Sequence, residues 1–359
     1  MADFEILDLD SKKKWSEYLH TLPIEQQDIY YTPEYYSLYE NYDGGKALCF
    51  VFKKDAEIAL YPFLLNSVNK IGYELKNEYY DIQGAYGYNG IVSSSYDEVF
   101  INKFYESFTN YCNDANIIAE FTRFHPLLKN EIFSINSMDV TFNRKTVKIS
   151  LTDYTSIEDV RKMVYTKEAR KNVKKARRQG IKFIIADKEG EYRDFYNIYT
   201  NRMLALNADN ELFFNEPFFL SFINKQQLKC HNKLILAQLD NSIIGGIILL
   251  FNMIYAHNFL SASLALNKNL KTNDYLQDAA ILLAINQKCS TFHLGGGNSS
   301  NEYDSLFRFK SKFSTETALF SIGTNIHNLK IYNDITNQWK KMYPTKQERY
   351  NNYHLKYRY

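Results

Sequence analysis

Residues 291–314, TFHLGGGNSSNEYDSLFRFKSKFS, decide how the whole chain of 359 residues is read. The run opens as a short strand and breaks at Gly295, Gly296 and Gly297. It then crosses a polar loop and resumes as a helix carrying Arg308, Lys310 and Lys312 among three phenylalanines. Consecutive glycines expose backbone N–H groups and let a ligand approach the main chain closely. The helix behind them turns its positive N-terminal end toward the same place. The glycine run is either a tight strand exit or a backbone contact for an anionic or carbonyl-bearing group, with Asn298 beside it. Asp304 is placed to cap the helix, and His293 reads as a core histidine inside the strand.

Outward from this segment, strand and helix signals alternate. A helix at 274–287 leads into the glycines, and strands at 233–239, 243–255 and 256–265 precede it as an antiparallel meander. A strand at 317–322 and a helix at 330–341 follow. Earlier come a strand at 146–151, a long helix at 156–179 ended by Gly180, a strand at 182–186, and helices at 191–205 and 217–227. The first part of the chain carries strands at 47–52, 57–65 and 115–121 and a helix at 97–113. An aromatic loop at 79–90 is punctuated by Gly84 and by Asn89-Gly90. The pattern restarts near 143–145, and the length exceeds one typical core. The expected organisation is an α/β chain with domains at 1–145 and 146–345 and a polar, aromatic tail at 346–359.

A net charge of +2 makes any basic site local rather than global. Residues 161–178 hold nine Lys or Arg against the single acid Glu168. Arg170, Lys171, Lys174 and Lys175 cluster there within two turns, and like charges at i,i+4 repel. This is either a solvated face or a site for a polyanion: tRNA phosphates, a nucleotide-sugar diphosphate, or an anionic membrane surface met peripherally. Tyr79, Tyr80, Tyr86 and Tyr88 either stack on a sugar or uracil or form a packed loop. Cys49, Cys112, Cys230 and Cys289 are scattered, which suits a reduced, cytoplasmic setting. The histidines never fall at ligand spacing, so no metal is expected. The start of the chain lacks signal-peptide order, and the most apolar run, 243–255, is too short to span a bilayer.

Together these segments resemble the FemAB-like branch of the GNAT acyltransferase superfamily. The resemblance is carried by His293-Leu294-Gly295-Gly296-Gly297, Asp304-Ser305-Leu306 and Arg308-Phe309-Lys310 with Phe313. Thr32-Pro33-Glu34-Tyr35, Tyr80-Asp81-Ile82, Tyr86-Gly87-Tyr88, residues 120–126 (EFTRFHP) and 170–176 (RKNVKKA) add to it. It implies tandem GNAT-like domains, each with a mixed central sheet flanked by helices, and transfer of an acyl group to an amine. The implied donor is aminoacyl-tRNA or acyl-CoA, with no permanently bound cofactor. The implied acceptor is a nucleotide- or lipid-linked cell-envelope precursor, either peptidoglycan or a polysaccharide amino sugar, met by the first domain.

By the same resemblance Lys310 matches the functional lysine, and Phe309 shapes and dries the site. Arg123 and His125 match a family motif that binds a diphosphate or holds a domain interface. Three departures stand out. No long helical arm is inserted between 156 and 266, and the family's lysine after the T-P-E-aromatic motif is replaced by Tyr39. The loop 267–274, NKNLKTND, lacks the glycines with which acetyl-CoA-using relatives cradle pyrophosphate. An acyl-CoA-dependent sugar N-acyltransferase is the alternative within the class. A non-catalytic RNA- or glycan-binding protein on the same fold is the alternative outside it.

Overall fold

The computed structural model describes residues 3–223 and 231–359. They form two compact units, Met1–Asn143 with Leu319–Tyr359, and Arg144–Ala318.

In the first unit, β1 (Asp3–Leu7) is followed by α1 (Lys12–Thr21) and α2 (Pro33–Asp43). Thr32 caps α2 by accepting the Tyr35 N–H, and Pro33 starts it where no N–H is needed. Strands β2 (Lys46–Lys54), β3 (Glu57–Ser67) and β4 (Tyr80–Gln83) extend from β1 in an antiparallel series, with short β5 (Val92–Ser93) beside β3. Helix α3 (Glu98–Asp114) then crosses over to β6 (Ile117–Arg123), which runs parallel to β4. Asp97 caps α3 through the Phe100 N–H at 2.9 Å. Phe100, Phe104, Phe108 and Cys112 repeat every fourth residue, so one stripe faces the sheet. They meet Phe50, Phe52 and Phe63, and each phenylalanine so buried stabilises the unit by about 2–3 kcal/mol.

Strand β7 (Asp139–Ser150) carries the chain into the second unit. There follow α4 (Ile157–Met163), α5 (Lys167–Arg178), β8 (Lys182–Ile185), α6 (Glu189–Ala205) and α7 (Glu216–Ser221). The meander is β9 (Asn232–Leu239), β10 (Ser242–Phe251) and β11 (Tyr255–Ser263). Helix α8 (Thr272–Asn286) crosses to β12 (Thr291–Gly296), which lies parallel to β11 and antiparallel to β7. Helix α9 (Ser305–Ser311) completes the unit. Each unit thus builds a mixed sheet flanked by helices on one plan. An antiparallel series leads to a parallel pair bridged by a helix, and one more antiparallel strand follows.

The expected domain boundaries need correcting. Strand β13 (Thr317–Ile326) takes the chain back to the first unit, pairing Ile322–Ile326 with the Ala119–Arg123 stretch of β6. Helix α10 (Leu329–Met342) buries Tyr332, Ile335 and Trp339 against Val68, Tyr73, Tyr79 and Ile118. The segment read as a separate tail is part of that core. Leu355 and Tyr357 are buried in it, and Arg358 grips the buried Asp81 carboxylate at 2.9 and 2.7 Å. Composition cannot show this, because the partners lie more than two hundred residues away.

Two elements also differ. The long helix expected at 156–179 is α4 and α5, broken where Thr166 caps α5 through the Ala169 N–H. Tyr165 turns inward at the break, its ring 5.0 Å from Phe313. The strand expected at 243–255 ends at Phe251, because Asn252 Oδ1 accepts the N–H groups of Ile254 and Tyr255 and closes a turn. The helix expected at 217–227 is described as far as Ser221, and residues 224–227 lie outside the described residues. Among the described residues no helix is long and apolar enough to cross a membrane.

Candidate active site

Strand β12 alternates as its pattern predicts: Phe292 and Leu294 enter the core, while His293 takes the other face. His293 Nε2 lies 2.9 Å from the Thr146 hydroxyl on β7, and its ring meets His257 edge-on at 5.6 Å. His257 and His293 are register partners, and they are the last pair that β11 and β12 share. Beyond them β11 continues beside β10 to Ser263, while β12 stays with β7 through Gly295 and Gly296. The parallel strands part at this point. Both histidines are buried at the base of the opening.

The glycine turn sits on the β12 side of that opening. Gly295 adopts φ +81°, which favours glycine, and a Cβ there would lie 3.1 Å from Lys310 Nζ. Lys310 donates to the Gly296 carbonyl at 2.7 Å, and Arg144 donates to the Gly297 carbonyl at 2.7 Å. Asp304 Oδ1 accepts from Leu306 and Phe307 at 2.9 and 3.0 Å, capping the helix as expected. Burial pushes that carboxyl up, but the backbone N–H groups around it outweigh this and hold it below its usual range. The turn presents the Gly296 and Gly297 carbonyls to two cations.

At seven residues α9 is too short to persist alone. The Asp304 cap holds one end, and Phe313, wholly buried and 5.6 Å from the Phe309 ring, holds the other. This anchoring places Lys310. The residue is half-buried, but its ammonium end is enclosed. Burial lowers its pKa, Asp304 opposes this, Arg144 reinforces it, and the result is about 8. At neutral pH Lys310 is mostly protonated, with protons to spare beyond the one on Gly296. Such a group can bind a developing oxyanion, and its charge is weakly held. Arg308 is exposed, and Lys312 pairs with Glu168 at 2.5 Å.

Gly297 is the tightest position of the turn. A Cβ there would come within 2.4 Å of Asp304 Oδ1 and 3.0 Å of Phe307 Cβ. Gly297→Ala is expected to displace the cap, costing about 1–2 kcal/mol. Because Lys310 rides on the same short helix, turnover should fall more than the melting temperature. Thermal melts and initial rates on one preparation check this.

The other predicted residues are dispersed. In the first unit, Tyr88 and His125 come together with ring centroids 5.2 Å apart, flanked by Tyr30 and Phe320. His125 is buried, and its Nδ1 accepts the Leu127 and Leu128 N–H groups, closing the turn after β6. Its Nε2 faces the buried Asp28 at 3.6 Å. Tyr86 accepts through its carbonyl from Tyr35, whose hydroxyl also meets that of Tyr39, and Arg123 lies over the Phe121 ring at 5.1 Å. Tyr39, where the resemblance expects a lysine, is wholly buried. On α5, Arg170 is exposed but donates to the carbonyls of Arg161, Lys162 and Tyr165, finishing α4. Lys171 and Lys174 are exposed, and Lys175 is half-buried.

Sequence reasoning missed Arg144, Thr146, Asp28 and Asn130. Arg144 lies in the stretch read only as a boundary, and Asn130 Nδ2 reaches Tyr31, Asn89 and Ile91 from a loop without a motif.

Two units of this plan, each with one parallel strand pair, make up a tandem GNAT fold. Solved structures show the same arrangement. FemX is similar over 92% of this chain and 99% of its own, with a TM-score of 0.67 at 12% identity. A tandem GNAT protein from the clavulanic acid biosynthesis pathway covers 91% and 99%, with a TM-score of 0.54 at 5% identity. The C-terminal domain of a putative lysylphosphatidylglycerol synthetase from Agrobacterium fabrum covers 94% and 96%, with a TM-score of 0.52 at 12% identity. No protein-family model and no curated protein matches the sequence. Among the described residues between Ser156 and Leu266 there is no paired helical arm.

Proposed function

We propose that the chain is an N-acyltransferase of the FemAB-like type. It moves an aminoacyl group from aminoacyl-tRNA, or another acyl group, to an amine on a cell-envelope precursor. The observation that carries this reading is Lys310, whose ammonium is held at the Gly296 carbonyl at the end of β12, beyond the point where β11 and β12 part. The acceptor nitrogen attacks the donor's carbonyl carbon, the carbonyl oxygen gains charge, and the carbon–oxygen bond of the ester then breaks. Lys310 stabilises that oxygen, and the proton the acceptor nitrogen loses as the amide forms ends on the departing ester oxygen, which leaves as a hydroxyl.

A feature of α8 favours a donor without pyrophosphate at the usual GNAT position. The glycine-free loop reaches Lys271 at φ +60°, which serves as the N-cap without a side-chain hydrogen bond. The first turn holds Asp274, buried and bonded to Asn172 at 2.9 Å, so a carboxyl group already occupies the helix's positive end. The resemblance to the FemAB-like branch supplies the analogy for the cell-envelope acceptor. The test incubates purified protein with charged tRNAs, acyl-CoAs and amino-sugar or peptide acceptors, and reads acceptor mass. An aminoacyl increment that depends on charged tRNA supports the reading. An increment from acyl-CoA alone favours the CoA-dependent alternative. No increment with any pair favours the binding protein.

A further inference from the structure

Helix α8 buries three polar side chains close together, Asp274, Gln277 and Asp278. Two of them are matched. Asp274 accepts from Asn172 at 2.9 Å, and Asp278 accepts from Arg161 at 2.7 Å. Gln277 is half used. Its Oε1 accepts from Asn258 Nδ2 at 2.9 Å, which fixes the amide. Its Nε2 is closed to solvent and, among the described residues, has no hydrogen-bond partner. The whole residue is 2% exposed, so bulk water does not cover that nitrogen. A buried donor left unmatched is destabilising, and an apolar side chain of the same shape would avoid the penalty. Such an exception on an otherwise matched helix points to an acceptor supplied from outside the chain.

The place of this amide pair ties it to the opening between β11 and β12. Asn258 is the first residue of β11 beyond His257, the last position that the two parallel strands share. Ala256 lies in the core with α8, and alternation along the strand turns Asn258 to the same side. Asn258 is half-buried, so the pair borders open space where β12 has left. Lys310 stands on the β12 side, at the Gly296 carbonyl.

We propose that Gln277 determines specificity, donating through Nε2 to an oxygen atom on the side chain of the transferred acyl group. The inference rests on the acyl-transfer reading. With its carbonyl oxygen at Lys310, the acyl group extends into the opening toward Asn258 and Gln277. Because Asn258 holds Oε1, the pair offers this ligand a donor rather than an acceptor. A hydroxyl or carbonyl there satisfies the nitrogen, whereas an alkyl chain buries it again unmatched. Oxygen-bearing acyl groups such as seryl are therefore preferred over alkyl ones such as alanyl.

The test compares donors that differ by one oxygen: seryl and alanyl esters of the same tRNA, and 3-hydroxybutyryl-CoA and butyryl-CoA. The native chain is expected to favour the hydroxylated member of the pair it uses by about tenfold or more in kcat/KM. Gln277→Met, of similar length but without the donor, should bring that ratio close to one. A variant that merely folds less well lowers both rates together, so the ratio reports the hydrogen bond. Binding is read separately, as the rise in melting temperature with unreactive seryl and alanyl amides of 3′-amino-adenosine. A preference for the seryl amide that Gln277→Met abolishes, without transfer of either group, upholds the site and fails the transfer reading. Equal transfer from both donors overturns the inference and leaves the transfer reading standing. A preference that survives in Gln277→Met overturns it too, and so does the absence of both transfer and preferential binding.

Discussion

Lys310→Ala is expected to lower turnover by about a hundredfold to a thousandfold, the usual effect of removing one donor to a developing oxyanion. The fold should survive. The side chain donates one hydrogen bond, to a carbonyl, and its burial as a cation is unfavourable to begin with. The pH dependence gives an independent signature. Activity that needs the ammonium is fully available below about 8 and falls as pH rises through that value. Lys310→Arg, charged throughout, should lose this basic limb even where its rate is reduced.

Stability runs in the opposite sense. The folded pKa of about 8 lies below the ordinary 10.5, so the unfolded chain binds more protons between those values and stability rises with pH there. Lys310→Met, which cannot ionise, should therefore melt higher than the native chain at neutral pH. The gap should close as pH climbs past 8. Rates, a pH–rate profile and paired melts decide the matter. Undiminished transfer by the alanine variant would show that Lys310 only supports the turn.

Asp278→Ala is expected to be the most destabilising single change in the second unit. Its carboxylate, almost wholly buried on α8, receives Arg161 from α4 through Nε at 2.7 Å and Nη2 at 2.5 Å. Arg177 from α5 reaches it at 3.3 Å, and so does the Tyr165 hydroxyl from the break between α4 and α5. Three elements are pinned to one side chain. Removing the anion strands the largely buried Arg161 and should cost about 3–5 kcal/mol. For a unit of this size that is a melting temperature lower by roughly 10 °C. Asp278→Asn keeps one acceptor oxygen and should cost less. Equal losses in the two variants would mean that packing, rather than the ion pair, holds the three helices.

Both predictions rest on residues whose visibility in the sequence differs. Lys310 was legible because a glycine run, an aspartate cap and a Phe–Lys helix sit within one local segment. Asp278 was not, since nothing near it announces a partner more than one hundred residues earlier. The basic stretch was legible as a cluster and misleading in detail. Arg170, expected at an anion site, finishes α4, while Lys171 and Lys174 stay exposed.

The sequence by itself determined the elements, most of their caps and the alternation that sends Phe292 and Leu294 inward. Those features depend on residues within a turn or two of one another. Only the tertiary structure decided that β13, α10 and the last residues return to the first unit. It alone showed that Lys310 and Arg144 bond the carbonyls of the glycine turn and that burial lowers the Lys310 pKa. Pairing, desolvation and charge neutralisation are set by neighbours in space, and a chain order does not list them.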